Sequence, residues 1–106
     1  MISNEKLVEL LPVIRQHLAY TWQDQELDVK LTEYIKDGVA YLERIAGGNV
    51  LTFDEGTGER RLLKDYVFYA NALQLDTFFV NYLHDLNSFQ LEQERIAYER
   101  TKESTE

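Results

Sequence analysis

Between Arg61 and Phe89, seven of the chain's thirteen aromatic residues crowd into a stretch that reads as helix: Tyr66, Phe68, Tyr69, Phe78, Phe79, Tyr82 and Phe89. Leu62, Leu63, Val67, Leu73, Leu83 and Leu86 lie among them. A helix on a protein surface carries one apolar stripe, and this segment holds more apolar surface than one stripe can. It is therefore expected at the centre of the fold. The regions on either side are strongly charged and contain no recognisable catalytic set, which favours assembly over chemistry.

A length of 106 residues suits one domain with one core. One proline and five glycines are too few turn formers for a β-sandwich of this size. The expected fold is all-α, a compact bundle of about four helices. Residues 1–90 form the domain, and 91–106 form a flexible, charged C-terminal segment.

Ser3 or Asn4 caps the first helix, which carries Leu7, Leu10, Leu11, Ile14 and Leu18 at helical spacing. Pro12 falls inside that pattern and predicts a kink or an early end near Leu11. A connection from Ala19 to Glu26 holds Trp22, and the second helix starts between Thr21 and Asp28. Its stripe is Leu27, Leu31, Tyr34, Ile35, Gly38, Leu42 and Ile45, and Gly47-Gly48 ends it. Gly38 on the stripe invites close approach of another helix, at a cost of about 1 kcal/mol in propensity.

Val50 to Phe53 is either a short strand or a loop anchored by Phe53, followed by a turn at Gly56 and Gly58. The third helix runs from about Glu59 toward Leu73. A fourth, capped by Asp76-Thr77, covers Phe78 to about Leu86, or the two form one kinked rod. Past Asn87-Ser88 the apolar residues thin out. Pairs such as Glu92–Arg95 and Arg95–Glu99 add only a few tenths of a kcal/mol each to an exposed helix. Fraying is expected there, with Lys102 to Glu106 disordered in the free protein.

A formal charge of −8 argues against gripping nucleic-acid phosphates, and the densest basic cluster, Arg60-Arg61-Lys64, is bracketed by Glu59 and Asp65. With no cysteine there are no disulfides and no thiolate metal sites. No apolar run approaches the roughly 20 residues of a membrane span. The N-terminal residues lack the pattern of a secretory signal, so a soluble, cytoplasmic chain is expected.

His84-Asp85 is the one adjacent pair with acid–base character, and no nucleophile accompanies it. His17 stands alone. Asp54 to Glu59 lacks both the alternating oxygens of a calcium loop and the Gly-Lys-Ser/Thr ending of a phosphate loop, and reads as an acidic turn capping the third helix. No Glu-x-x-His motif marks a helical metal site. The chain is therefore expected to be no enzyme and to need no cofactor and no metal. Large apolar residues in loops or weak helix supply the candidate contacts: Trp22, Phe53, Phe89, Leu91, Ile96 and Tyr98. For Phe53 and Phe89 the competing role is anchoring against the core.

Three segments of the first half, Tyr20-Thr21-Trp22-Gln23-Asp24, Asp28-Val29-Lys30-Leu31 and Ile35 through Gly47, resemble the head–tail connector (adaptor) family of tailed phages. In the second half Phe53-Asp54-Glu55-Gly56, Leu62 to Tyr66, Tyr69 to Leu73 and Asn81 to Ser88 follow the same order and spacing. The resemblance covers about Leu7 to Leu91, with Thr57-Gly58 and Arg60-Arg61 departing from the pattern. It implies a structural subunit of a phage or prophage virion, assembled in the host cytoplasm and located at the head–tail junction. Such subunits form a ring, commonly twelvefold, beneath the portal protein and present a surface to the next connector or tail protein. Genome DNA passes through the ring without specific binding, and a carboxylate-lined channel would repel its phosphates. Residues Leu91 to Tyr98 are expected to order on assembly. The competing classes are a small helical protein-binding regulatory module and an enzyme with a carboxylate-bound metal.

Overall fold

The structure is a computed structural model that describes residues 2–18 and 25–105, with side chains as far as Lys102. Its elements are α1 (Asn4–His17), α2 (Gln25–Ala46), α3 (Gly58–Asn71), α4 (Leu75–Asn81) and α5 (Leu83–Thr105), and no strand occurs among the described residues. The all-α expectation holds, and Val50 to Phe53 is loop.

Several helix boundaries have a local cause. Ser3 caps α1, its hydroxyl accepting from the Lys6 amide at 3.1 Å. The early end expected near Leu11 does not occur, and α1 continues through Pro12 to His17. Leu10 and Ile14, fully buried on either side of the proline, hold both turns against the core. Val8 and Pro12 are exposed, so the carbonyl deprived of its donor faces water. Gly47 and Gly48 end α2 at φ +62 and +103, and the Gly47 amide donates to the Glu43 and Arg44 carbonyls. The cap of α3 is Thr57 rather than an acidic residue, accepting from the Arg60 amide.

The rod from 59 to 86 is divided twice. After α3, Leu73 adopts φ +59 and closes a Schellman turn. Its amide donates to the Ala70 carbonyl at 3.0 Å, and the Gln74 amide to the Tyr69 carbonyl at 2.8 Å. A non-glycine residue in this conformation costs on the order of 1 kcal/mol. The second division is a single residue, Tyr82, between α4 and α5. The expected fourth helix is therefore split, with Phe78 in α4 and Leu86 in α5. α5 runs without interruption past residue 90 into the charged segment.

The core is built on the pairing of α2 with α3. A Cβ placed on Gly38 would come within 2.7 Å of Leu63 Cδ1 and 2.8 Å of Tyr66 Cδ1, so the two helices meet where the side chain is missing. Leu31, Ile35, Val39 and Leu42 from α2 are buried with Leu62, Leu63 and Val67 from α3. Phe78, fully buried, brings the aromatic residues together. Its ring stacks on Tyr82 at 4.7 Å between centroids and meets Tyr66 edge-on at 5.6 Å. Phe79 packs beside it at 5.5 Å and reaches Tyr41 of α2 at 5.4 Å.

Polar ties fasten α1 to its neighbours. Lys6 bonds Asp54 at 2.6 Å and Glu9 at 3.0 Å. Those hydrogen bonds, Asp54 foremost, raise the Lys6 ammonium above its ordinary pKa, and Lys6 in turn holds the Asp54 carboxyl below the usual range. Arg15 Nε lies 3.0 Å from Asp28 Oδ1, without hydrogen-bond alignment. Pairs this close to the surface contribute little individually.

Candidate functional site

α5 is amphipathic in an unusual way. Its inward positions are Leu86, Phe89, Gln93 and Ala97, of which Leu86 and Gln93 are buried and Phe89 and Ala97 half-buried. The anchor is polar: Asn49 Nδ2, just past the end of α2, donates to the Gln93 main-chain carbonyl at 2.8 Å and to its side-chain oxygen at 3.0 Å. From Tyr98 to Lys102 every side chain is exposed. The helix thus leaves the body after Ala97, in a molecule with principal extents of 53 × 31 × 19 Å.

On its outer side, Leu83, Leu91 and Tyr98 are 58%, 66% and 68% exposed. At roughly 100° per residue, these positions fall within about 80° of the helix circumference and form one stripe. Arg95 beside it bonds Glu92 at 3.1 Å and Glu99 at 2.8 Å, holding the exposed helix by the pairs its spacing allows. The Arg95 hydrogen bond also holds the Glu92 carboxyl below the usual carboxylate range.

The six candidate contact residues separate. Leu91 and Tyr98 share the stripe, whereas Ile96, 37% exposed, lies on another side of α5. Phe89 is half-buried and packs on the core. Phe53 is fully buried beneath the 49–57 loop at φ +57, and its carbonyl accepts from Arg60 Nη1. It is a core anchor in this chain, not a surface residue. Trp22 lies outside the described residues.

Leu83 belongs to the stripe and was not among the candidates. Its period with Leu91 and Tyr98 becomes visible only once α5 is known to begin at Leu83. A second group escaped the sequence entirely. His17 Nε2 lies 3.2 Å from Asp65 Oδ1, in a cleft of about 220 Å³ also lined by Phe68, Tyr69 and Tyr82. Burial, reinforced by the charge and hydrogen bond of Asp65, pushes the Tyr82 phenol up to about 12. At neutral pH that phenol keeps its proton and donates, so the trio links α1, α3 and the α4–α5 junction. No local spacing connects residues so far apart in the chain.

Elsewhere, His84 is exposed and Asp85 lies 3.7 Å from Arg61. The Arg60-Arg61-Lys64 cluster lines an open cleft of about 700 Å³ with Val13, Gln16 and the 55–58 turn. Arg60 is bound to Glu9 at 3.2 Å. Among the described residues, no three His, Asp or Glu side chains converge as metal ligands do. No helix among them is long and apolar enough to cross a membrane.

No protein-family model, no curated protein and no solved structure matches this chain.

Proposed function

We propose that this chain is a structural adaptor of a tailed phage or prophage, a head–tail connector subunit that joins a ring beneath the portal and is held there by its neighbours. The observation that carries the proposal is the stripe of Leu83, Leu91 and Tyr98 on a helix that continues beyond the body. Exposed apolar side chains in line on one helix face suit docking into a partner's groove. The ordered motifs that resemble the connector family support the same reading. So does the net charge of −8, which suits a channel through which DNA must slide.

In this reading the core of α2, α3 and α4 is a rigid spacer, and α5 is the arm that engages the portal. Truncation after Ala97 retains the Gln93–Asn49 anchor and removes only exposed side chains among those described, so the shortened chain should fold. Mixed with purified portal rings and viewed by electron microscopy, the full chain should add a ring of density and the truncated chain should not. Bare portals with the full chain would refute the adaptor reading. Equal decoration by both chains would refute the role of the arm.

A further inference from the structure

The cleft around Asp65 has aromatic walls that the adaptor reading leaves unused. His17 meets Phe68 at 6.3 Å between ring centroids, Phe68 meets Tyr69 at 5.4 Å, and Tyr69 meets Tyr82 at 5.8 Å. Successive ring planes are turned by 71°, 80° and 73°. The four rings and the Asp65 carboxylate line a space of about 220 Å³. An apolar occupant would suit the rings and leave the carboxylate unanswered. A cation suits both, because aromatic faces carry negative potential and attract positive charge.

The chain does not supply that cation as a lysine or arginine. The Asp65 side chain is 21% exposed, and among the described residues its one ion-pair partner is His17, with Nε2 at 3.2 Å from Oδ1. The Tyr82 hydroxyl supplies a second hydrogen bond. An ionised carboxylate offers about four acceptor positions, so about two remain. Arg61, whose charge reaches Tyr82, is drawn toward Asp85 at 3.7 Å. Lys64, next to Asp65 in sequence, lines the separate cleft beside the 55–58 turn. A carboxylate withdrawn this far from water gains from a counter-charge that brings its own hydrogen bonds.

The walls also select among cations. An ammonium is compact and strongly hydrated, whereas a guanidinium is planar, weakly hydrated and able to stack on rings while donating in its own plane. A cavity of about 150 Å³ accommodates a benzene ring, so the cleft has room for a planar head group and the start of its stem. Phe68 is 46% exposed, which leaves that wall open to entry from outside. The net charge of −8 draws a basic partner surface toward the chain as a whole.

We propose that this cleft binds an arginine side chain of a partner protein, its guanidinium against Phe68, Tyr69 and Tyr82 and donating to Asp65. This adds a contact of a different chemistry to the apolar stripe of α5, and neither the portal nor a ring enters its test. The full chain, labelled with nitrogen-15 and titrated with N-acetyl-arginine amide, should show saturable NMR shifts at Phe68, Tyr69 and Tyr82. The dissociation constant should be on the order of millimolar, as suits a single side chain. The citrulline analogue has the same shape without the charge and should bind about tenfold more weakly. Asp65→Asn should bind the two analogues alike. Phe68→Leu keeps an apolar group at a half-exposed wall and should weaken the arginine probe about tenfold with the unfolding midpoint unchanged. Should Asp65→Asn fail to fold, Phe68→Leu decides alone. No saturable shift, equal binding of both analogues by the parent chain, or undiminished binding by Phe68→Leu overturns the proposal. Tighter binding of tetramethylammonium than of the arginine probe also overturns it, since the site would then suit a free quaternary ammonium.

Discussion

α2 and α5 are nearly the same length, 22 and 23 residues, and they are held in place by different means. α2 buries six residues, among them Leu31, Ile35, Gly38 and Leu42, so its neighbours define where every turn sits. α5 buries Leu86 and Gln93, and over its last described turns it exposes its side chains and carries the charge pairs of Arg95 with Glu92 and Glu99. Tertiary packing supplies most of the stability of a protein helix, because a helix on its own must form from a costly nucleus. The contrast therefore separates a part whose sequence specifies shape from a part whose sequence leaves a surface available.

The sharpest break in that comparison is Phe78→Ala. It removes the ring around which Tyr66, Tyr69, Phe79 and Tyr82 are arranged. A cavity of that size costs about 3–5 kcal/mol, enough to unfold a marginal domain, and urea denaturation followed by circular dichroism would measure it. A loss below about 1 kcal/mol would mean that the aromatic cluster is not the centre of the fold.

Gly38→Ala should cost less, up to about 2 kcal/mol. Alanine gains about 1 kcal/mol of helix propensity, but its Cβ forces Leu63 and Tyr66 aside in a filled core, and overpacking costs roughly 1–3 kcal/mol. Pairing it with Leu63→Val frees space at one of the two clashes. The double variant should therefore lose less than the sum of the singles.

Asn49→Ala tests the fastening between the two regions. It strips the donor from the buried Gln93 side chain and should cost about 1–2 kcal/mol. Hydrogen exchange should speed up over α5 and stay slow over α2. Uniform acceleration would show that the two regions open as one unit.

What could be read from the sequence follows the same division. The periodicity of α2, the close approach at Gly38 and the glycine stop at 47–48 were all legible, because each depends on residue type and spacing within one element. Of the two outcomes expected at Pro12, the early end does not occur, since the burial of Leu10 and Ile14 on either side outweighs one lost hydrogen bond. Whether α3 and α4 are one rod or two stayed open because the residue in the left-handed conformation is Leu73, which advertises no turn, and the second division at Tyr82 had no signal at all. Phe53 carried two expected roles, outside contact and core anchor, and the packing of its loop onto the core makes it the anchor. His17 and Asp65 meet through tertiary packing, which no local pattern encodes.

Alkaline pH probes the aromatic centre more gently. Burial is the first cause of the raised phenol pKa at both Tyr66 and Tyr82, with Tyr82 moved from 10.0 to about 12. A tyrosine that keeps its proton longer in the native state contributes stability that is complete below the unfolded pKa of 10.0. That contribution is lost as pH rises from there toward about 12. The unfolding midpoint should fall over that interval, and Tyr82→Phe should flatten the fall. An unchanged profile in the variant would place Tyr82 in water.

The smallest expected effect on stability carries the most functional weight. Leu91→Ser and Tyr98→Ser alter side chains that are two-thirds exposed, and substitutions at such positions usually stay within about 0.5 kcal/mol. Removing apolar groups from water-facing positions leaves no cavity, so the unfolding midpoint should not move. If the stripe docks into a portal groove, each truncated side chain gives up burial worth about 1.5–3 kcal/mol, and the pair together should abolish detectable binding. Stability retained while binding is lost is the signature of a surface kept apolar for a partner. Loss of both together would mean that α5 supports the fold, and the contrast with α2 would then be one of degree.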